Sequence, residues 1–180
     1  IMAYFTILPD DTTGTNEWTN FGAVLHEECV QTDDDDTTFV YETRQGHEIT
    51  FTMADPSVAE GGIDFGETVT VTPYITAHYE GGSGTVEMTI QITGTGITLA
   101  NAIVNVAVDS SYPTYSGNAS IIKSFGTVWD YAGLQNCQVK LECTSRPDRF
   151  SYLRVSYVFI RVDYTAAVAA DNATFFGANF

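Results

Sequence analysis

The sequence predicts an all-β protein: an antiparallel two-sheet β-sandwich, jelly-roll-like, with about eight to nine strands and at most one short helix. Three observations carry this. Short runs of alternating apolar and polar residues recur along the 180-residue chain, separated by Gly, Pro, Asn and Asp turn chemistry. Helical periodicity is nearly absent. The third is the run 152–164, YLRVSYVFIRVDY, rich in β-branched and aromatic residues and free of Gly and Pro. This is the strongest strand signal in the chain and reads as the central strand of the sandwich.

That run changes phase part-way. Val158, Ile160 and Val162 alternate with Phe159, Arg161 and Asp163, whereas Leu153, Val155 and Tyr157 have the opposite parity. Either a bulge shifts the phase near Tyr157, or both faces are covered there by protein. If another subunit supplies that covering, Leu153, Val155 and Tyr157 are interface residues.

From the start of the chain, residues 1–17 read as an apolar extended arm and a loop, with Pro9, Asp10, Asp11 and Gly14 as turn chemistry. The arm packs either on its own domain or on a neighbouring subunit. Residues 18–165 form the sandwich domain. Residues 23–26 fit a short strand or a turn, and the β-prone run 37–42 follows Asp33, Asp34, Asp35 and Asp36. Residues 48–53 alternate and end before Pro56. The run 68–77 places Val69, Val71 and Ile75 on one face, and Pro73 inside it calls for an edge position or a bulge. The connector 80–84 is a hairpin-like turn into 85–93, the plainest alternation in the chain. After the turn 94–96 and the valines 104, 106 and 108, residues 110–118 read as a loop and 119–125 as a strand. Residues 127–136 suit a single helical turn between Trp129 and Leu134, plugging one end of the sandwich. The alternating run 137–143 is then expected to pair with 152–164 as an antiparallel hairpin. Residues 166–180 are a small-residue extension carrying Phe175, Phe176 and Phe180, which are expected to bury against a neighbour or this domain.

Composition excludes several functions. The net charge is −16, with seven Lys and Arg against 23 Asp and Glu, so nucleic acid and anionic membranes lack the basic cluster they require. No segment approaches the roughly 20 apolar residues of a membrane span, and none has the layout of a signal peptide. Cys137 and Cys143 share a strand face but stand roughly 20 Å apart at about 3.3 Å per residue, so they read as small core residues. Cys29 is left to pair with either or to stay reduced.

Catalytic motifs are missing from the sequence. His26, His47 and His78 lie on separate segments without zinc-ligand spacing. There is no Gly-x-Ser-x-Gly elbow, and the glycines at 81, 82 and 84 lack the lysine of a phosphate loop. The chain is therefore read as a non-enzyme without a cofactor. The acidic run Asp33, Asp34, Asp35 and Asp36 lacks the alternating spacing of a calcium loop, and Ca2+ is the one cation it suggests. Tyr112 and Tyr115, in a polar loop, are the candidate glycan-stacking residues, while Trp18 and Trp129 are alternatives. A β-sandwich hydrolase would need two carboxyl groups facing across a cleft.

Trp18 with Gly22, the Asp33 to Val40 entry into a strand, Trp129 before Leu134, the QVKL strand 138–141 and the closing runs 153–158 and 162–164 occur in this order. Together they resemble a loosely defined family of jelly-roll proteins encoded among the structural genes of tailed bacteriophages. The resemblance implies a virion structural protein made in the host cytoplasm, a capsid decoration subunit or else a tail or fibre component. Its partners would be other virion proteins and further copies of itself. A carbohydrate-binding sandwich module for host or glycan adsorption is the alternative, with a glycan as partner.

Overall fold

The computed structural model describes residues 2–14, 16–23, 25–31, 37–64, 69–81, 85–94, 97–98, 102–107, 114–116, 120–122, 131–145 and 151–167. Its strands are β1 Met2–Ile7, β2 Pro9–Thr12, β3 Thr19–Phe21, β4 Phe39–Glu42, β5 Glu48–Met53, β6 Val69–Glu80 and β7 Thr85–Gly94. They continue with β8 Ile97–Thr98, β9 Ala102–Ala107, β10 Thr114–Ser116, β11 Ser120–Ile122, β12 Cys137–Cys143 and β13 Tyr152–Thr165. One α-helix, α1 Tyr131–Gln135, and 3-10 turns at Glu28–Val30 and Glu60–Gly62 complete the described elements. The expected all-β sandwich with one short helix is observed. The strands outnumber the expectation because several are only two to four residues long, too short to show a period in the sequence.

Every described pairing is antiparallel. Sheet A, of seven strands, runs β10-β6-β13-β4-β3, with β1 also pairing β13 and β11 also pairing β6. Sheet B, of six strands, runs β2-β5-β12-β7-β8, with β9 also pairing β7. The core lies between them. On β12, Cys137, Val139, Leu141 and Cys143 are buried while Gln138, Lys140 and Glu142 are half-exposed, as a period of two requires of a strand with one face inward.

β13 is the spine of sheet A. β6 pairs with it from Tyr152 to Asp163, while on the other side β4 takes Leu153 to Val155 and β1 takes Ile160 to Thr165. The phase change in its sequence is a bulge: Val155 faces Ala77 and Tyr157 faces Thr76, leaving Ser156 as the extra residue. Because the bulge absorbs the extra residue, Val158, Ile160 and Val162 stay on the core side already held by Leu153 and Val155, all fully buried. This corrects the interface reading of Leu153 and Val155, which are core residues of this domain; burying each contributes about 1.5–3 kcal/mol. Tyr157 lies half-buried on the opposite, outer face.

Pro73 lies in an interior strand, yet its missing N–H is tolerated. Its β13 partner is Ile160, and on the other flank the pairing falls between Ser116↔Tyr74 and Ser120↔Val71, at the break between β10 and β11. The N-terminal arm packs on its own domain, with β1 against β13 and β2 against β5, and Phe5 and Ile7 enter the core. Residues 23 and 25–26 form turn structure, not a strand.

Two expected hairpins are corrected. β12 pairs with β5 and β7 in sheet B, whereas β13 belongs to sheet A, so the two do not form a hairpin. β6 and β7 are likewise in different sheets, so they do not pair as a hairpin either. Alternation indicates which face of a strand is buried but not which strand lies beside it. In α1 the fully buried Leu134 caps the core, as expected of a helical plug; Trp129 lies outside the described residues. Ala166 bridges to Ile63, and Ala167 N–H donates to Gly62 O at 3.2 Å.

Candidate functional site

Strand alternation sends one set of side chains into the core and the other set outward, so the outer face of sheet A can be read from its registers. Leu153 and Val155 of β13 point inward, which puts Tyr152 and Arg154 outside; the same rule puts Phe39 and Tyr41 of β4 outside Val40. β3 adds Phe21, which is directly opposite Phe39. At the end of β6, Glu80 is opposite Tyr152.

These residues, Phe21, Phe39, Tyr41, Glu80, Tyr152 and Arg154, line an open groove of about 510 Å³, within the usual size range of ligand pockets. Phe21 stacks on Phe39 with centroids 4.7 Å apart and planes 15° from parallel. The Arg154 guanidinium lies 4.3 Å over the Phe39 ring, so Phe39 is buried although it points outward. Tyr41 meets Tyr152 edge-on at 5.4 Å, and Arg154 is ion-paired with Glu80. Phe21 and Tyr152 remain 54% and 39% exposed. Gly22 shapes this edge: it follows Phe21 with φ of +88°, and a Cβ there would run into the Thr37 carbonyl oxygen and Thr38.

The groove joins apolar ring surface to one ion pair at its floor. A planar or chair-shaped ligand with C–H faces and peripheral hydroxyls suits that combination, with the rings taking the C–H faces and Arg154 and Glu80 the hydroxyls. Glu80 is the carboxylate among the lining residues and is already paired with Arg154, whereas glycoside hydrolysis uses two carboxyl groups flanking the bond.

Glu42 is buried at the same end of the sandwich, on the inward parity of β4. It accepts the N–H groups of Thr43 and Arg44 at 2.6 and 2.8 Å, and His47 Nδ1 at 2.8 Å. Its oxygens therefore serve the turn that carries the chain from β4 to β5. His26 Nε2 donates to Trp18 O at 2.8 Å, and His78 is buried in β6. Trp18 is only 3% exposed and its Nε1 donates to His47 O at 3.2 Å, so it is a core residue and not a stacking platform.

Of the glycan candidates from the sequence, Tyr115 lies in β10 opposite Ile75, in a segment read as a loop; Tyr112 lies outside the described residues. So do Asp33, Asp34, Asp35 and Asp36, and Phe175, Phe176 and Phe180. Among the described residues no group of three or more His, Cys, Asp or Glu is placed to hold a metal ion. The cysteines are buried free thiols. Burial raises the thiols of Cys137 and Cys143 to about 12, with Glu42 and Glu142 adding to the effect at Cys143. Tyrosines in polar loops stand out in the sequence, whereas the groove residues lie inside strands whose neighbours are set only by long-range pairing. The usable signal was parity: aromatic residues alternating with buried aliphatic ones in 39–41 and 152–155.

No family model matches the chain, and no curated protein matches it. Among solved structures it is similar to a CBM22-1 xylan-binding domain from Paenibacillus barcinonensis Xyn10C, at 12% identity and a TM-score of 0.45, covering 90% of this chain and 95% of that one. It is also similar to a CBM36-1 domain of a multidomain xylanase from the hindgut metagenome of Trinervitermes trinervoides, at 12% identity and a TM-score of 0.38, over 89% and 96% of the two chains. A family two carbohydrate esterase from Cellvibrio japonicus matches at 8% identity and a TM-score of 0.34, over 92% of this chain but 35% of its own. At TM-scores below 0.5 these likenesses decide nothing about the site, and function has to be argued from the residues of sheet A.

Proposed function

We propose that this chain is a carbohydrate-binding module whose site is the groove on the outer face of sheet A. The observation that carries the proposal is the convergence of Phe21, Phe39, Tyr41 and Tyr152 around the Arg154–Glu80 pair in an open groove of about 510 Å³. Aromatic side chains that face solvent in a contiguous group cost solubility without adding to the core, so their placement calls for a partner. Binding to a panel of immobilised polysaccharides tests it. Tyr152→Ala and Phe21→Ala are expected to weaken binding at least tenfold, about 1.4 kcal/mol. Lys140→Ala on sheet B, which removes an exposed ion pair with Glu48, is expected to leave binding unchanged. Full binding by both aromatic variants, or silence of the wild type across a broad panel, overturns the reading.

The second reading is the capsid decoration subunit, or tail or fibre component, located in the virion. It is carried by the residue pattern from Trp18 to Tyr164 alone, and two of its interface residues, Leu153 and Val155, have moved to the core. Recovery of the chain at high copy number in purified particles would support it, and its absence from them would remove it. A module displayed on a particle would satisfy both readings.

A further inference from the structure

The bulge at Ser156 has an effect beyond restoring the core. Before it, the outward residues of β13 are Tyr152 and Arg154; after it they are Tyr157, Phe159, Arg161 and Asp163. If Ser156 were paired as an ordinary ladder residue instead of bulging, Tyr157 and Phe159 would turn into the core and Val158 and Ile160 would turn out. One outer face therefore carries rings along the whole strand. Tyr74 of β6, directly opposite Phe159, stacks with it at 5.0 Å and 9°. Tyr157 sits 5.0 Å from Phe159. Further on, Arg161 lies 4.5 Å over the ring of Tyr4 of β1 and is paired with Asp163 at 2.7 Å. From Tyr152 to Phe159 the strand covers roughly 20 Å at about 3.3 Å per residue.

We infer that the binding site extends from the groove along β13 to a second aromatic subsite at Tyr74, Tyr157 and Phe159, and that its occupant is one uncharged, unbranched polysaccharide chain lying along the strand. This rests on the carbohydrate-binding reading of the groove. The second patch continues the first on the same face and the same strand, so a linear chain held at Tyr152 is led to Phe159. Charge selects the occupant. Each described arginine of the face is matched by a carboxylate beside it, Arg154 by Glu80 and Arg161 by Asp163, while the chain as a whole carries −16. That field repels a polyanionic glycan, and it equally repels a second copy of this chain.

The test uses the full chain and ladders of β-1,4-glucan, β-1,4-xylan and β-1,3-glucan oligosaccharides from the disaccharide upward, with polygalacturonate as the anionic probe. Phe159→Thr and Tyr74→Thr remove the subsite while keeping strand propensity, and thermal unfolding checks that both fold. Wild-type affinity is expected to rise with chain length. The two variants are expected to lose about tenfold on the longest members and nothing on the shortest that bind, whereas Tyr152→Ala weakens every member. Wild-type affinity of folded Phe159→Thr and Tyr74→Thr for the longest members overturns the second subsite and leaves the groove standing. Tighter binding of polygalacturonate than of the neutral ladders overturns the uncharged occupant. If no ladder member and no polygalacturonate binds, the carbohydrate reading falls and this inference falls with it.

Discussion

On the outer face of sheet B, the positions between core residues include Glu48, Thr50 and Thr52 of β5, Gln138, Lys140 and Glu142 of β12, Glu87, Thr89, Gln91 and Thr93 of β7, and Asn105 of β9, with Ile103 of β9 as the large exposed apolar side chain among the described residues of this face. They are tied by small contacts, such as the Lys140–Glu48 pair and Thr93 Oγ1 donating to Gln138 at 3.3 Å. On the outer face of sheet A the corresponding positions include, beside threonines and the Arg154–Glu80 and Arg161–Asp163 pairs, the aromatic residues Tyr4, Phe21, Phe39, Tyr41, Tyr74, Tyr152, Tyr157 and Phe159. Both faces obey the same period of two and cover the same core. Sheet B shows what solvation alone asks of an outer face, so the rings of sheet A mark a surface meant to be covered.

The largest expected effect comes from Ile160→Asp, which attacks the difference between the two sides of β13 beyond the bulge by placing a carboxylate on the core side, between the fully buried Val158 and Val162. Burying an unpaired charge there costs about 4–5 kcal/mol or more, the range that marks an exceptional substitution. Ile160→Asp is expected to yield no cooperative thermal transition; a folded, cooperatively melting variant would show that Ile160 does not face the core. Deleting Ser156, by contrast, leaves Val155 and Val158 inward and Tyr157 outward in regular alternation and is expected to fold.

Smaller, and confined to sheet A, is Gly22→Ala. The positive φ of Gly22 and the encounter of a Cβ with Thr37 and Thr38 both oppose it, for a cost of about 2–4 kcal/mol. The local consequence is loosening of β3 from β4, which withdraws Phe21 from Phe39. Thermal melting should fall and polysaccharide binding should weaken together. Melting that falls while binding holds would take Phe21 out of the site.

The finest comparison uses the cysteines as reporters. Cys137 and Cys143 face the core from β12 in sheet B, whereas Cys29 Sγ lies 3.4 Å from Phe21 O, at the short β3 edge of sheet A. Thiol labelling of the native protein near pH 8 is expected to modify Cys29 before the other two, because a three-residue edge strand opens more readily than an interior one. Burial raises Cys137 and Cys143 from 9.0 to about 12, so the native state keeps protons that the unfolded chain releases. Their contribution to stability is therefore full below about pH 9 and is lost as pH rises towards 12. Labelling all three at one rate would mean the two sheets open as a unit, and melting temperatures unchanged between pH 9 and 11 would contradict the burial of the two thiols.

The all-β architecture was legible because alternation is local: 48–53, 85–93 and 137–143 each announce one buried face. The choice between a bulge and a doubly covered strand at Tyr157 could be posed from parity but was decided by the β6 register, a long-range fact. The false hairpins expected from 80–84 and 144–151 fail for the same reason, since turn-forming residues between two strands do not say whether those strands share a sheet. In the site, the outward parity of Tyr152 and Arg154 was visible, yet nothing in the sequence joins residues 21, 39, 80 and 152. The registers of β3, β4, β6 and β13 do.

The central position of β13 also sets an order of assembly. Sheet B has its β5, β12 and β7 partners once residue 143 has been synthesised, but β1, β4 and β6 all await a strand that ends at Thr165, where Met2 finds its partner. Until then three strands of sheet A keep open edges and unpaired apolar faces, the state most exposed to sticking to other chains. Such distant pairings also slow the search for the native fold. A pause in translation between residues 143 and 165 is thus the moment of greatest hazard for this protein, and a chain cut there would retain half a sandwich with nothing to close it.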